Sequence, residues 1–455
     1  MRKAAMVVLA SAGSGILLCT AIPPGTFSEI GWFCLVPLLI ATRGKGFLYG
    51  FFGALLAVFT CAMVAETGIF YSEKHFGGND AWLYSACGIF GFSISIACGI
   101  WAEKGLIEKP AWWFAAIATL LESVMLLYLP GHLAMTQWRS IGILQICSIG
   151  GVWLLSFLVW WVNFSFAELI ANRKWNASLA LLGLLGILGF SSILVPKPAI
   201  AKNPDGTNRI VSVIQVGELE SDTISAIHKS VGSSTDLVVW PEFAGLAFVG
   251  GGDSEPLKEF AKQPGIAPFV TSFGDLTKPL PHNTAAVFDS EGESARYFKR
   301  KPFGTETKMY LAGNLPVAIG APHNVGLNIC FDSCFGFVIR DTINAGEIDF
   351  IALPTIDPDS PHRFLAANHA AHSAIRSAEL GISIARSDGF GFSSITDSYG
   401  RFIALKKQGD GTVSGNITKP HWTLARFVGD WFLAVCGAMF IVGIALVKPI
   451  GDSPE

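Results

Sequence analysis

Eight apolar runs limit what this chain can fold into. They fall at about 4–22, 27–42, 46–70, 81–101, 111–129, 141–163, 177–195 and 427–447. Each is near the roughly 20 residues that an α-helix needs to cross a bilayer; the second is short and must tilt or break at Pro37. Between the seventh and the eighth runs a mixed stretch, from about Lys197 to Pro420, punctuated by glycine and proline. Only 15% of the 455 residues are charged, against about a quarter in an ordinary soluble domain, so the chain is in part a membrane protein. Met1-Arg2-Lys3 would suit a signal peptide, but the runs that follow make the first one an uncleaved span. The expected organisation is a seven-span membrane domain at 1–196, a layered α/β domain at 197–422, and a closing span with a short cytoplasmic tail at 423–455.

Lysine and arginine orient the spans. With the N-terminus inside, the inner segments hold Arg2, Lys3, Arg43, Lys45, Lys104, Lys109, Arg173, Lys174 and Lys448, and the outer short loops hold only Lys74 and Arg139. That bias places the N-terminus in the cytoplasm and, after seven crossings, the polar domain outside it. In a bacterium this is a multi-pass inner-membrane protein facing the periplasm. Two carboxylates, Glu66 and Glu122, lie toward the outer ends of their spans, where snorkelling or a wet cleft would accommodate them. His132 and Arg139, on an outer loop, are placed to meet lipid headgroups.

Several classes of function are excluded. A net charge of −3 without a basic stripe gives no nucleic-acid surface. The nine cysteines show neither zinc spacing nor a disulfide framework, and Cys330 and Cys334 read as free thiols. No histidine pattern calls for a metal, and no cofactor is implied; His369 and His372, three apart on a predicted helix, read as a polar helix face.

Strands are expected at 210–216, 236–240, 268–273, 284–288, 325–330, 348–353, 382–386 and 392–396, and helices at 255–262 and 362–380. Three strand ends carry reactive groups, where open α/β sheets keep their chemistry. Leu237-Val-Val-Trp240-Pro241-Glu242-Phe243 stops a buried strand at a carboxylate. Arg296-Tyr297-Phe298-Lys299-Arg300-Lys301-Pro302-Phe303-Gly304 presents lysines. Val325-Gly-Leu-Asn-Ile-Cys330-Phe-Asp332 runs an apolar strand into a turn and a helix, whose N-terminus would favour a thiolate at Cys330. Taken singly, these are a loop cap, a basic edge and a packed cysteine. Together they make covalent acyl chemistry possible: Glu242 as general base and acid, Lys299 for the oxyanion, Cys330 as nucleophile. Lys299, two residues after Tyr297 on one strand face, is preferred to Lys301, which abuts Pro302. The apolar, glycine-rich 243–252 segment is a candidate lid.

Trp240-Pro241-Glu242, Tyr297-x-Lys299 and Ile329-Cys330-Phe-Asp332 resemble the Glu-Lys-Cys motifs of the nitrilase superfamily of carbon–nitrogen hydrolases, whose fold is an αββα sandwich. With spans on both flanks, the chain is similar to the bacterial apolipoprotein N-acyltransferase branch over nearly its whole length. Pro302-Phe303-Gly304, Arg376-Ser-Ala-Glu379-Leu-Gly381 and Arg386-Ser-Asp-Gly are also similar to family segments. The resemblance implies a phospholipid acyl donor, a Cys330 thioester and a lipoprotein or other amine acceptor, with Phe243, Phe303, Glu306 and Asp332 as substrate-binding residues. The chain departs from the family pattern where Thr305 separates Gly304 from Glu306, where Asp332 stands for a glutamate, and where 353–361 lacks an aromatic. The alternatives are a nitrilase-type amidase or hydrolase, and a conjugal-transfer membrane component of the TraB type with a nitrilase-like domain.

Overall fold

The computed structural model describes residues 2–64, 89–124, 131–172, 186, 195–232, 235–249, 253–275, 281–359 and 363–445. Glu66, Cys87 and nearly all of the apolar run at 177–195 lie outside them. The described chain forms two compact units, one of helices from 2–172 and 428–445, the other spanning 195–427.

In the helical unit, Ala4–Ala21, Phe47–Val64 and Cys147–Ala171 are long and apolar enough to cross a membrane. Shorter apolar helices lie at Ala111–Val124 and Trp431–Ala445. The second apolar run is a 3-10 turn, Ser28–Trp32, followed by a helix at Val36–Thr42 with Pro37 in its first turn, so the break precedes the proline instead of falling on it. The 141–163 run is likewise divided, into Ile141–Leu144 and Cys147–Asn172, the latter kinked where Gly151 takes a φ of +68°. Irregular backbone inside an apolar unit needs internal hydrogen-bond partners. Asn163 supplies them to Leu35 N–H and Gly31 C=O, Gln137 to Ser28 C=O, and Trp138 to Gly25 C=O. Glu122 does not snorkel. Its carboxylate is buried and accepts from Leu133 N–H (2.9 Å), Trp160 Nε1 (3.0 Å) and Ser156 Oγ, capping the 3-10 turn Leu133–Gln137. His132 is also buried, against Trp153, and only Arg139 of the two loop residues is exposed.

The second unit is built on two sheets. One contains β1 (Ile210–Gln215), β2 (Leu237–Val239), β3 (Phe269–Asp275), β4 (His282–Asp289), β5 (Gly292–Glu293) and β6 (Tyr297–Phe298). The other contains β7 (Val317–Ile319), β8 (Val325–Leu327), β9 (Phe350–Thr355), β10 (Ser383–Asp388), β11 (Ser393–Thr396) and β12 (Phe402–Lys406). The last strand, β13 (Gly411–Asn416), crosses back to pair antiparallel with β1. The first sheet runs β13-β1-β2-β3-β4-β5 with β6 on β4, the second β12-β11-β10-β9-β8-β7. β1–β2–β3 and β8–β9–β10 are parallel and almost wholly buried, which explains their continuous apolar runs. They pack face to face, and helices cover both outer faces: Ser221–Val231 and Glu255–Ala261 on the first sheet, Gly336–Asn344 and Phe364–Leu380 on the second. The αββα sandwich is therefore present. All eight expected strands and both expected helices fall on observed elements. The short or edge strands β5, β6, β7, β12 and β13 and the Ser221–Val231 helix were not foreseen.

The Phe364–Leu380 helix ends at Gly381, which has a φ of +67° and whose added Cβ would lie 2.2 Å from His421 O. Gly381→Ala combines a left-handed backbone with a backbone clash and is expected to destabilise this unit by about 1–3 kcal/mol. Limited proteolysis of the purified chain against temperature measures this; an unchanged cleavage midpoint would refute it.

Candidate functional site

Five segments converge near the C-terminal ends of β2 and β8. Glu242 follows β2 after Pro241, its N–H bonded to Thr355 O (3.1 Å) and its side chain 1% exposed. Lys299 follows β6; its Nζ donates to Glu242 Oε1 (2.8 Å) and to Glu306 Oε2 (2.6 Å). Asn283 on β4 donates to both carboxylates, at 2.7 and 3.0 Å, and Ile356 N–H reaches Glu242 Oε2 at 3.2 Å. Cys330 closes the group, buried and within electrostatic reach of Glu242 and Lys299. Thr305 does not displace Glu306. The extra residue is absorbed in a turn closed by Glu306 N–H to Phe303 O and Thr307 Oγ1 to Gly304 O.

The electrostatics follow from burial. Glu242 is pushed up to about 7 by desolvation, Lys299 pulling it down and Glu306 pushing it up. Burial works against the Lys299 charge, yet Cys330, Glu242 and Glu306 outweigh it and hold the ammonium well above its ordinary range. The Cys330 thiol is driven well above its usual range, first by burial and then by the Glu242 carboxylate, with Lys299 opposing. The expected helix N-terminus does not activate it. β8 ends at Leu327, a 3-10 turn occupies Cys330–Cys334, and the helix begins only at Gly336.

Cys330 and Phe243 have positive φ angles, +50° and +61°, rare for residues with side chains and found where function constrains the backbone. Both flank the charged group. Phe243 stacks on Tyr310 at 5.7 Å, and Phe303 packs on Phe331 at 4.8 Å. Asp332 points inward. Its oxygens accept from Tyr297 Oη (2.7 Å), Lys301 N–H (2.8 Å) and Ile329 N–H (3.0 Å), tying the lysine segment to the cysteine turn. Lys301 sends its ammonium over Phe335 and Phe337 instead of into the carboxylates. The described part of the candidate lid, 243–249, forms a short helix, Leu246–Val249, packed on the core around Trp240 and Phe260, so it lies as an ordinary packed turn.

Other polar groups at the site were missed. His369 and His372 are buried, so their helix shows no polar face there. His369 joins Asp357 and Arg386 behind the cysteine turn, and Arg376 holds the carbonyls of Ser333 and Cys334. The signal was present in Arg376 and Arg386, both within segments similar to the family's, but not in the histidine spacing.

Comparison with known proteins agrees with this layout. Residues 14–165 match the family described as apolipoprotein N-acyltransferase N-terminal domain, and residues 216–427 match carbon–nitrogen hydrolase. Curated apolipoprotein N-acyltransferases from Thermotoga maritima and Gloeobacter violaceus are each 23% identical, across 97% of this chain and 94% of theirs. The chain is thus similar to apolipoprotein N-acyltransferases in its N-terminal part and to carbon–nitrogen hydrolases in its second. Among solved structures, an amidase from Nesterenkonia sp. matches at 16% identity and a TM-score of 0.42, covering 51% of this chain and 98% of that one.

Lys299→Met would leave Glu242 and Glu306 side by side without their cation. Removing one partner of a buried pair costs about 3–5 kcal/mol. Carboxyl groups whose pKa is raised on folding stabilise below their unfolded value and lose that contribution as pH rises through the folded one. The variant's melting temperature should therefore fall further below wild type at pH 8 than at pH 5. An equal deficit at both would show that the carboxylates do not depend on Lys299.

Proposed function

We propose that this chain moves an acyl chain from a phospholipid, through a thioester on Cys330, to an amine at the N-terminus of a lipoprotein. The observation that carries the reading is the meeting of Glu242, Lys299 and Cys330 in one buried group, in a chain bearing both domains of its curated relatives. Glu242 takes the thiol proton as Sγ bonds to the ester carbonyl carbon, and the oxyanion faces the Lys299 ammonium. Collapse breaks the bond to the glycerol oxygen, which receives the proton from Glu242, and lysophospholipid departs. An incoming amine then attacks the thioester, Glu242 takes its proton and returns it to the departing sulfur, and an amide results. A carboxyl group near 7 suits both directions. Glu306 shares the Lys299 charge, Asp332 positions the turn, and Phe243 and Phe303 offer apolar surface to the acyl chain.

We place this domain on the outer face of a bacterial inner membrane, anchored by a multi-pass 1–196 domain and the 423–455 span, on the lysine and arginine bias. A reporter active only outside the cytoplasm should work when fused near Asp253 and stay silent near Lys109; the reverse would overturn the orientation.

Purified protein given labelled phospholipid and no acceptor should accumulate a thioester that neutral hydroxylamine releases. Cys330→Ser should carry no hydroxylamine-labile label, Cys334→Ser should label normally, and Glu242→Gln should label about 10²–10⁴-fold more slowly. A diacylated lipopeptide should discharge the wild-type thioester. Discharge by water alone would make the protein a hydrolase, and equal labelling of Cys330→Ser would end the covalent mechanism.

A further inference from the structure

Behind Cys330 lies a buried polar cluster that the acyl-transfer steps do not use. Asp357, His369, Arg386 and Asp388 are each 5% exposed or less. Arg386 Nη2 donates to Asp357 Oδ2 (2.8 Å) and Asp388 Oδ2 (2.7 Å) and lies 3.1 Å from His369 Nδ1. Asp357 N–H donates to Asp388 Oδ1 at 3.0 Å. The imidazole of His369 spans the gap to the nucleophile, with Nδ1 2.7 Å from Asp357 Oδ1 and Nε2 3.2 Å from the carbonyl oxygen of Cys330. Ser333 Oγ donates to that same carbonyl at 2.9 Å. Two carboxylates against one guanidinium leave the cluster one proton short of neutrality. That proton goes to the carboxylates, Asp388 being pushed up to about 6 by burial, while burial and Arg386 hold the His369 ring well below its usual range; with Nδ1 accepting from Arg386 Nη2, its single N–H is on Nε2, facing the Cys330 carbonyl.

Cys330 holds a left-handed backbone, a conformation that persists only when its surroundings enforce it. Its carbonyl is one of the points at which they do so. The adjacent residues Ile356 and Asp357 act on opposite partners: Ile356 N–H holds the Glu242 carboxylate, and the Asp357 side chain holds His369. One dipeptide on the loop after β9 thus sets both the base and the nucleophile.

We propose that His369 is a positioning residue, which donates from Nε2 to the Cys330 carbonyl and, oriented by Asp357, keeps the sulfur aligned with Glu242. The inference rests on Cys330 being the nucleophile but not on the identity of donor or acceptor. Misplacement of a reacting atom by about 1 Å costs about 10²-fold in rate. In the full-length chain, His369→Leu should slow both iodoacetamide alkylation of Cys330 and thioester formation by about 10- to 100-fold, leaving KM for phospholipid within about twofold. His369→Gln, whose amide can still donate, should recover to within about tenfold of wild type. Asp357→Asn should resemble His369→Leu, and the double variant should be no slower than either single one, as expected of groups acting as a unit. Unchanged alkylation in His369→Leu, a Gln variant no better than Leu at equal melting temperature, or multiplying losses would each overturn the proposal. Should His369→Leu not fold, the pair of His369→Gln and Asp357→Asn decides by the same additivity test. Because alkylation needs no lipid, a wild type that alkylates as described but never forms a thioester would refute the acyl-transfer reading and leave this one standing.

Discussion

The ammonium of Lys299, held between two carboxylates inside the protein, is the interaction on which the α/β unit is arranged. A buried cation is sustained only by close anions and complete hydrogen bonding, and here Glu242, Glu306 and Asn283 provide both. Those groups come from the end of β2, the turn after β6 and the start of β4, so the first sheet must close before the lysine can be buried. Burial, reinforced by the second carboxylate, pushes Glu242 up to about 7 against the pull of Lys299.

The second sheet brings the sulfur to this charge through a turn that is itself over-determined. Asp332 ties Ile329 N–H, Lys301 N–H and Tyr297 Oη together, and Arg376 takes the carbonyls of Ser333 and Cys334. Neither side chain faces outward. Both hold the left-handed backbone at Cys330, a conformation no local sequence preference would select. The helical unit follows the same rule in an apolar setting. Its non-helical segments persist because Asn163, Gln137 and Glu122 take up backbone groups that would otherwise lack partners.

Much of this was readable in the sequence, for identifiable reasons. Buried parallel strands give unbroken apolar runs, so β1, β2, β3, β8, β9 and β10 announced themselves, and the residues interrupting those runs marked the strand ends where Glu242 and Cys330 stand. Strands β12 and β13 are half-exposed, and β5 and β6 have two residues each, so neither pattern nor length distinguishes them from loops. The Phe364–Leu380 helix misled for the opposite reason. It is buried nearly all round among alanines, so polar residues at its heart read as solvent-facing, although His369 is sealed against Asp357 and the cysteine turn.

Local order by itself determined the apolar spans, the alternation of strands and helices between them, and the three residues set at strand ends, since each depends on neighbours along the chain. Tertiary structure alone decided how those residues behave. The Cys330 thiol is held protonated by burial and by Glu242, where the sequence suggested a thiolate aided by a helix; Glu122 is capped inside its helices and does not reach for water; and Asp332 and His369 bond the backbone around Cys330. Charge state and most of this hydrogen bonding are set by groups dozens of residues or more apart in sequence, and no spacing along the chain records which of them will meet.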